Sequence, residues 1–565
     1  MKRILFFLIV TIAVGDVWAQ NNFSSQGRRE RAKPERALVK RTNIPVKNIH
    51  APGKWIDFAV PFDEKNLSDS KIIEISSAKQ LAYLAKQVNS GINYSGIHFK
   101  LVAHINLSGL EWIPVGLFGE DLDDNSSRFC GFFDGNGHKI ENLTIANGGD
   151  HSGLFGVCGT GAYINNLHIA GCYVRGNIAV GGLVGELIKG TVAACSVSGT
   201  VIANDECAGG LVGMNNGTIT GSRSSAEVFG YITDTGGLAG VNGERMPAVI
   251  DSCEATGAIT GFFNVGGLVG RNYSAISKSR ASGDVIGEEW VGGLVGWSNE
   301  GIITFCQASG NVKGFVDVGG LAGFGGHVGT TSKIIHSHAT GNVTGAGLGS
   351  NCVGGLAGYS GGFITDCYAS GAVIGDEATG GLIGEHGGVI FNSFATGNVS
   401  GCFDVGGLVG YHGYPGSRTL LENCYATGTV TGIGVNSYGI GGLAGYSGSK
   451  IVNCYASGAV SGRNVAGGLV GEQKGTITNC YASGEVKAIY TAGGLVGRNF
   501  STINNCYYDR DTTKQKKGAG KNNNEKNCSI TPLTTKQFHT GSKPAGFDEK
   551  VWVSVVGQYP KLIIH

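Results

Sequence analysis

Gly181-Gly182-Leu183-Val184-Gly185 is the stretch on which the reading of this chain turns. Gly-Gly-Leu returns with its first glycine at Gly209, Gly236, Gly266, Gly292, Gly319, Gly354, Gly380, Gly406, Gly441, Gly467 and Gly493, and a looser forerunner stands at Ser152-Gly153-Leu154-Phe155-Gly156. Seven of the eleven intervals between these glycines are 26 or 27 residues. A period of that size marks an architecture of stacked repeats. A Cys or Ser follows 13 or 14 residues after the first glycine in most units, inside a pattern of the form Ile-x-Asn-Cys-Tyr-Ala-Ser-Gly-x-Val. Small or apolar residues alternate there with polar ones, which is the period of a strand.

Glycines bracket three short runs per unit, so each unit reads as one turn of three strands and three corners. Stacked in register, these turns make an all-β chain, a parallel β-helix (β-solenoid) whose core is shared between neighbours. Twelve turns at about 4.8 Å each would extend roughly 55–60 Å.

Outward from the array, residues 1–19 read as a signal peptide. Lys2 and Arg3 precede an apolar run, and Val17-Trp18-Ala19 offers a small-x-small cleavage site near Ala19. The run is too short for a transmembrane segment, so the expected location is secreted, extracellular or on the cell surface. Residues 20–71 form a polar linker, basic at its start, where Arg28, Arg29, Arg31, Lys33, Arg36, Lys40, Arg41 and Lys47 face Glu30 and Glu35. A solvated tail and a polyanion contact are both compatible with it. The whole chain of 565 residues carries 43 Lys and Arg against 42 Asp and Glu, a net charge of +1, which argues against nucleic acid as a partner.

Residues 72–180 form an N-terminal cap with the first solenoid turns, 181–508 the repeat array, and 509–565 a closing segment. The cap holds the one clear helical pattern: Ser77 and Gln80 make a capping box, and Leu81, Leu84, Ala85 and Val88 share a face. It is placed to cover a sheet edge that would otherwise invite aggregation.

The segments Phe99-Lys100-Leu101, Trp112-Ile113-Pro114-Val115-Gly116, Asp134-Gly135-Asn136-Gly137-His138 and Ile140-Glu141-Asn142-Leu143-Thr144-Ile145 lead into the array. Asn505-Cys506-Tyr507-Tyr508-Asp509 and Val551-Trp552 close it. Together with the Gly-Gly-Leu-Val-Gly units they resemble the GLUG-repeat proteins of bacterial surfaces, from about Ile72 onward. The resemblance implies a right-handed β-solenoid of about twelve GLUG turns. It also implies a stalk or adhesive role; such repeats also occur beside the protease domain of immunoglobulin-A-cleaving metallopeptidases.

Fifteen cysteines in an exported chain suggest disulfides. Cys195, Cys253, Cys306, Cys367, Cys424, Cys454, Cys480 and Cys506, however, share a slot that holds Ser222, Ser279, Ser337 and Ser393 in other units. A slot that takes either wants a small buried side chain, and free Cys packs as one. No CxxC pair or HExxH is present, so neither a metal nor a cofactor is expected.

The next position holds Ser196, Arg223, Glu254, Arg280, Gln307 and His338, then Tyr368, Phe394, Tyr425, Tyr455, Tyr481 and Tyr507. Strand alternation sends it outward. Six stacked rings stabilise a sheet; they are also a candidate platform for sugar rings or a protein partner. A patchier column holds Trp297, Phe324, Tyr359, Tyr411 and Tyr446, interrupted by Glu385. Extra residues near 242–249, 326–333 and 413–420 put three loops on one edge, each with a cation: Arg245, Lys333 and Arg418. Loops on a rigid frame commonly bind ligands, and a relic of duplication in blocks of three turns explains them equally.

No catalytic arrangement can be read. Asp134 and His138 sit in a turn, and Glu288-Glu289 and Glu385-His386 are isolated in sequence. The sequence therefore points to a non-enzymatic, monomeric binding or adhesive rod facing glycans or host and envelope proteins. A glycan-active β-helix enzyme (lyase or hydrolase) and a passive spacer are the alternatives. The enzyme requires two outward carboxylates from different turns within about 10 Å.

Overall fold

The computed structural model describes residues 53–62, 72–119, 121 and 123–563. The expected signal peptide and basic stretch, residues 1–50, lie outside the described residues.

The described chain is a parallel β-solenoid of about 17 turns. Twelve of them carry Gly-Gly-Leu, and a twelve-stranded sheet has one strand leading into each, from Val180–Gly181 to Thr491–Gly493. The remaining turns lie at the two ends. Before the array, Ile72–Ile75 pairs with His98–Leu101, which pairs with Phe132–Asp134. After it, Ala519–Asn522 and Cys528–Leu533 pair with Val496–Asn499 and Ile503–Asp509.

The three strands expected per turn are present in the first unit, as Val180–Gly181, Val184–Ala193 and Ser196–Ala203. Later turns break the two long strands and have five, for example Phe263–Gly266, Val269–Asn272, Ala275–Ser277, Arg280–Ala281 and Val285–Ile286. One break falls on a residue in the left-handed region. It is Asn392, Asn423, Asn453, Asn479 and Asn505 in successive turns, with φ between 48° and 54°. Asn tolerates that conformation better than other non-glycine residues, which accounts for the Asn before Cys in the repeat. Those asparagines also bond one another from turn to turn, as in Asn453 Nδ2 to Asn423 Oδ1 at 3.3 Å.

The motif's glycines answer to space. A Cβ on Gly320 would lie 2.0 Å from the carbonyl oxygen of Gly355 in the next turn, and one on Gly319 would lie 1.9 Å from that of Ala322. The leucine that follows is fully buried in every unit, from Leu183 to Leu495. The Gly-Gly corner thus lets two backbones touch while Leu enters the core.

The Cys/Ser slot is inward as expected. Its serines donate to the carbonyl two residues back (Ser393 Oγ to Phe391 O, 2.8 Å) and accept from the preceding turn (Cys367 N to Ser393 Oγ, 3.1 Å). Its thiols donate to the same carbonyl, as from Cys454 Sγ to Val452 O at 3.1 Å. Either side chain satisfies the slot, so the two exchange freely. All fifteen cysteines are free thiols.

The helix forms at Ala78–Asn89, with Ser77 as N-cap accepting from Gln80 N. Its buried face, Leu81, Ala82, Leu84, Ala85 and Val88, joins the core beside Ile73, Ile75 and Phe99. At the other end, residues 534–562 fold back onto the outside of the last turns.

Candidate functional site

The outward column becomes a ladder because the parallel register places each ring opposite the next: Tyr368 against Phe394, Phe394 against Tyr425, Tyr425 against Tyr455, Tyr455 against Tyr481 and Tyr481 against Tyr507. His338 begins the stack, 4.6 Å from Tyr368. From there to Tyr481 successive centroids stand 4.8–5.1 Å apart, with planes within 6° of parallel. At this spacing each ring covers its neighbour's face, and edges and hydroxyls point out. The platform of ring faces expected for sugars is not formed along the column.

The ladder divides in two. His338, Tyr368, Phe394 and Tyr425 are half-buried. Tyr455, Tyr481 and Tyr507, expected outward, are 9%, 1% and 7% exposed, because Phe538, Phe547 and Trp552 of the closing segment pack over them. Trp552 lies 6.1 Å from Tyr455 and 5.9 Å from Tyr481. Two hydroxyls donate to the segment's backbone, Tyr481 to Pro560 O at 2.6 Å and Tyr507 to Ala545 O at 2.9 Å. Buried Asp509 clamps the segment further, accepting from Thr535 Oγ1 at 2.6 Å and Tyr559 Oη at 2.5 Å.

The three loops occupy one corner, between the same pair of strand columns: Ala239–Asn242 and Val249–Asp251, Ala322–Phe324 and Lys333–Ile335, Val409–His412 and Leu420–Glu422. Their cations differ. Arg245 turns inward to Glu186, at 3.1 Å, a fully buried carboxylate that also lies 3.0 Å from His151 Nε2. Lys333 starts a strand and is exposed, and Arg418 is exposed at its loop. The loops therefore present no common row of three free cations. Beside His151, a cavity of about 190 Å³ is lined by Lys54, Glu111, Phe118 and Asp150, among others.

The second aromatic column is also stacked, Trp297 on Phe324 at 5.8 Å, Phe324 on Tyr359 at 5.2 Å and Tyr411 on Tyr446 at 4.5 Å. Glu385 interrupts it and, though isolated in sequence, has company in space. It accepts from Tyr414 Oη at 3.2 Å and from the Cys352 thiol at 3.6 Å. Asp317, one turn further back, lies beside the same thiol. Burial, with the nearby charge of Glu385, raises the Asp317 carboxyl to about 8. Burial and Glu472 raise Asp404 to about 7. Asp317 and Glu385, from different turns, thus come together around Cys352, with the Asp317 carboxyl buried. Sequence reading missed it because the residue before Val-Gly-Gly-Leu varies freely (Asn264, Trp290, Asp317, Asp404). That variability was the available signal. Asp134 keeps its turn role, accepting from Asn136 N at 2.7 Å. Among the described residues no group of three or more His, Cys, Asp or Glu is placed to hold a metal ion, and no helix is long and apolar enough to cross a membrane.

This geometry defines a parallel β-solenoid repeat protein with an aromatic ladder on one face. The GLUG motif matches at residues 176–202, 263–286, 349–374, 401–431, 436–461 and 462–487, so the array carries GLUG repeats. It is 32% identical over 157 residues to "Halomucin" of Haloquadratum walsbyi, a stretch covering 27% of this chain and 2% of that protein. It is 37% identical over 86 residues to "Putative Gly-rich membrane protein" of Evansella cellulosilytica, covering 14% of this chain and 9% of that one. The chain thus spans a small part of the curated relatives it matches. A solved structure, "putative immunoglobulin A1 protease from Bacteroides ovatus", aligns over 88% of this chain and 94% of its own with 16% identity, but the TM-score of 0.21 carries no argument.

Proposed function

We propose that this chain is a non-enzymatic binding or adhesive rod, secreted or held at the cell surface, whose ladder face contacts envelope or host proteins, or glycans, through ring edges and hydroxyls. The observation that carries the reading is the contrast along one column: the rings from His338 to Tyr425 stand half-exposed on a rigid in-register frame, while their continuation is covered. Exposed aromatic edges on an ordered frame are characteristic of recognition surfaces. Similarity to segments of a protein named for a membrane and of halomucin supports a place at or outside the envelope. The test is binding of the mature chain, from Gln20, to arrays of glycans and extracellular proteins, beside a folded Tyr368→Ala/Tyr425→Ala variant. Binding lost in the variant is expected. Binding that persists unchanged moves the site elsewhere, and a blank array leaves the spacer role.

A second reading rests on Asp317 and Glu385. Asp317, raised to about 8, and Glu385, flanked by Tyr359 and Tyr411, offer the two carboxyl groups that a glycoside-hydrolysing pair requires. Sugar release from a polysaccharide panel, abolished by Glu385→Gln, would establish it. No release from any member removes it.

A further inference from the structure

The ladder is already occupied over half its length, and the way the closing segment reads it identifies what the other half fits. Three kinds of contact are made. Aromatic side chains of the segment meet the rings, Phe538 against Tyr481 at 5.5 Å and 43°, Phe547 against Tyr507 at 5.6 Å and 80°, and Tyr559 parallel to Tyr481 at 6.1 Å and 9°. Tyrosine hydroxyls donate to main-chain carbonyls, at Pro560 and Ala545. The backbone crosses the asparagine column at Gly546, where a Cβ would come 2.7 Å from Asn505 Nδ2.

The register continues without a break into the open turns; the hydroxyls skip Phe394, and the amide column runs to Asn392, which donates to Asp366 at the Tyr368 rung. The register runs unshifted from Tyr455 through Tyr425 and Phe394 to Tyr368. The amide column continues through Asn423 and Asn392. Tyr425 and Tyr368 carry the same hydroxyls. A pyranose, by contrast, is gripped by stacking its C–H groups on a ring face. Rings 4.6–5.1 Å apart and parallel within 6° leave no face between them.

We infer that the open rungs Tyr368, Phe394 and Tyr425 dock a polypeptide segment of the closing segment's own chemistry, with spaced aromatic side chains and carbonyls turned to the tyrosine hydroxyls. The inference rests on the binding-rod reading and decides its partner class. Continuity with an interface the chain already makes is what selects a peptide over a sugar.

The probe is a synthetic peptide with the sequence of residues 535–563, titrated into the full chain by calorimetry. Saturable binding is expected. It should weaken about tenfold or more in Tyr368→Ala/Tyr425→Ala, which leaves Tyr481, Tyr507 and Trp552 intact, and two- to fivefold in Tyr425→Phe, which removes only a hydroxyl and keeps the stack. Absence of saturable binding overturns the inference, as does an affinity unchanged in both variants. If the peptide fails while the arrays show glycan binding lost in the same double variant, the peptide partner falls and the rod reading stands. If peptide and arrays both fail, the two fall together.

Discussion

The two halves of the aromatic ladder share the repeat and its register, yet Tyr425 is partly exposed and Tyr481 is 1% exposed. The repeats do not make that difference. It comes from residues 534–562, which return over turns they follow in sequence and bury Tyr455, Tyr481 and Tyr507 under Phe538, Phe547 and Trp552. One aromatic column thus serves as internal packing at one end and as surface a few turns away. What an aromatic stripe does in a solenoid depends on what else folds onto it.

The sharpest way to break the contrast is to loosen the cover. Trp552→Ala should cost the closing segment about 3–5 kcal/mol of local stability, the range for truncating a buried large aromatic. Hydrogen exchange should then show the cover opening and Tyr455 and Tyr481 becoming as accessible as Tyr425. Because stability in a solenoid is a sum of local terms, protection in turns before Gly319 should hold.

Acid should act on the open half. His386 and His412 lie in the core of the turns that carry Phe394 and Tyr425, where the covered turns have Ser447, Gln473 and Asn499. Burial lowers the two imidazoles to about 4 and about 3. Folded values below the unfolded ~6.5 mean that stability is intact above that pH and is lost as pH falls toward 4. The expected loss by pH 5 is on the order of 1–2 kcal/mol per histidine. Exchange measured at pH 7 and pH 5 should rise around residues 380–430 before it rises around 441–508. His386→Gln/His412→Gln should remove that difference.

A smaller effect separates the hydroxyls. Tyr481→Phe should cost about 1 kcal/mol by losing the bond to Pro560, while Tyr425→Phe should leave stability unchanged in denaturant titration. Smallest of all, Cys454→Ser beneath a covered rung and Ser393→Cys beneath an open one should each shift stability by less than about 1 kcal/mol, since the slot's carbonyl accepts from either. A large loss from either exchange would show that the core also differs between the two halves.

Much of the fold was legible because the repeat states its own geometry. A β-solenoid turn must return to the same place every period, so Gly-Gly at a close backbone contact, Leu in the core and a small Cys or Ser slot recur at fixed offsets. The capped helix at Ala78–Asn89 was legible for the same local reason, Ser77 at its start and one apolar face. The division of each long side into two strands was less so, since it depends on where left-handed residues interrupt the ladder. At the candidate site, strand parity correctly sent the tyrosine column away from the core. It gave no information on ring faces, which close only when turns stack about 5 Å apart, or on the cover. Arg245 looked like a surface cation, and the buried Glu186 that claims it lies 59 residues back.

From the sequence alone came the array, its parallel in-register stacking, the inward and outward columns and the free buried thiols, all properties set by residues within one period of each other. The tertiary structure decided which rungs of the ladder are surface, that Asp317 and Glu385 gather around Cys352, and that Arg245 is spent on Glu186. Each of these joins residues from different turns or from outside the array, and periodicity carries no information about contacts that do not repeat.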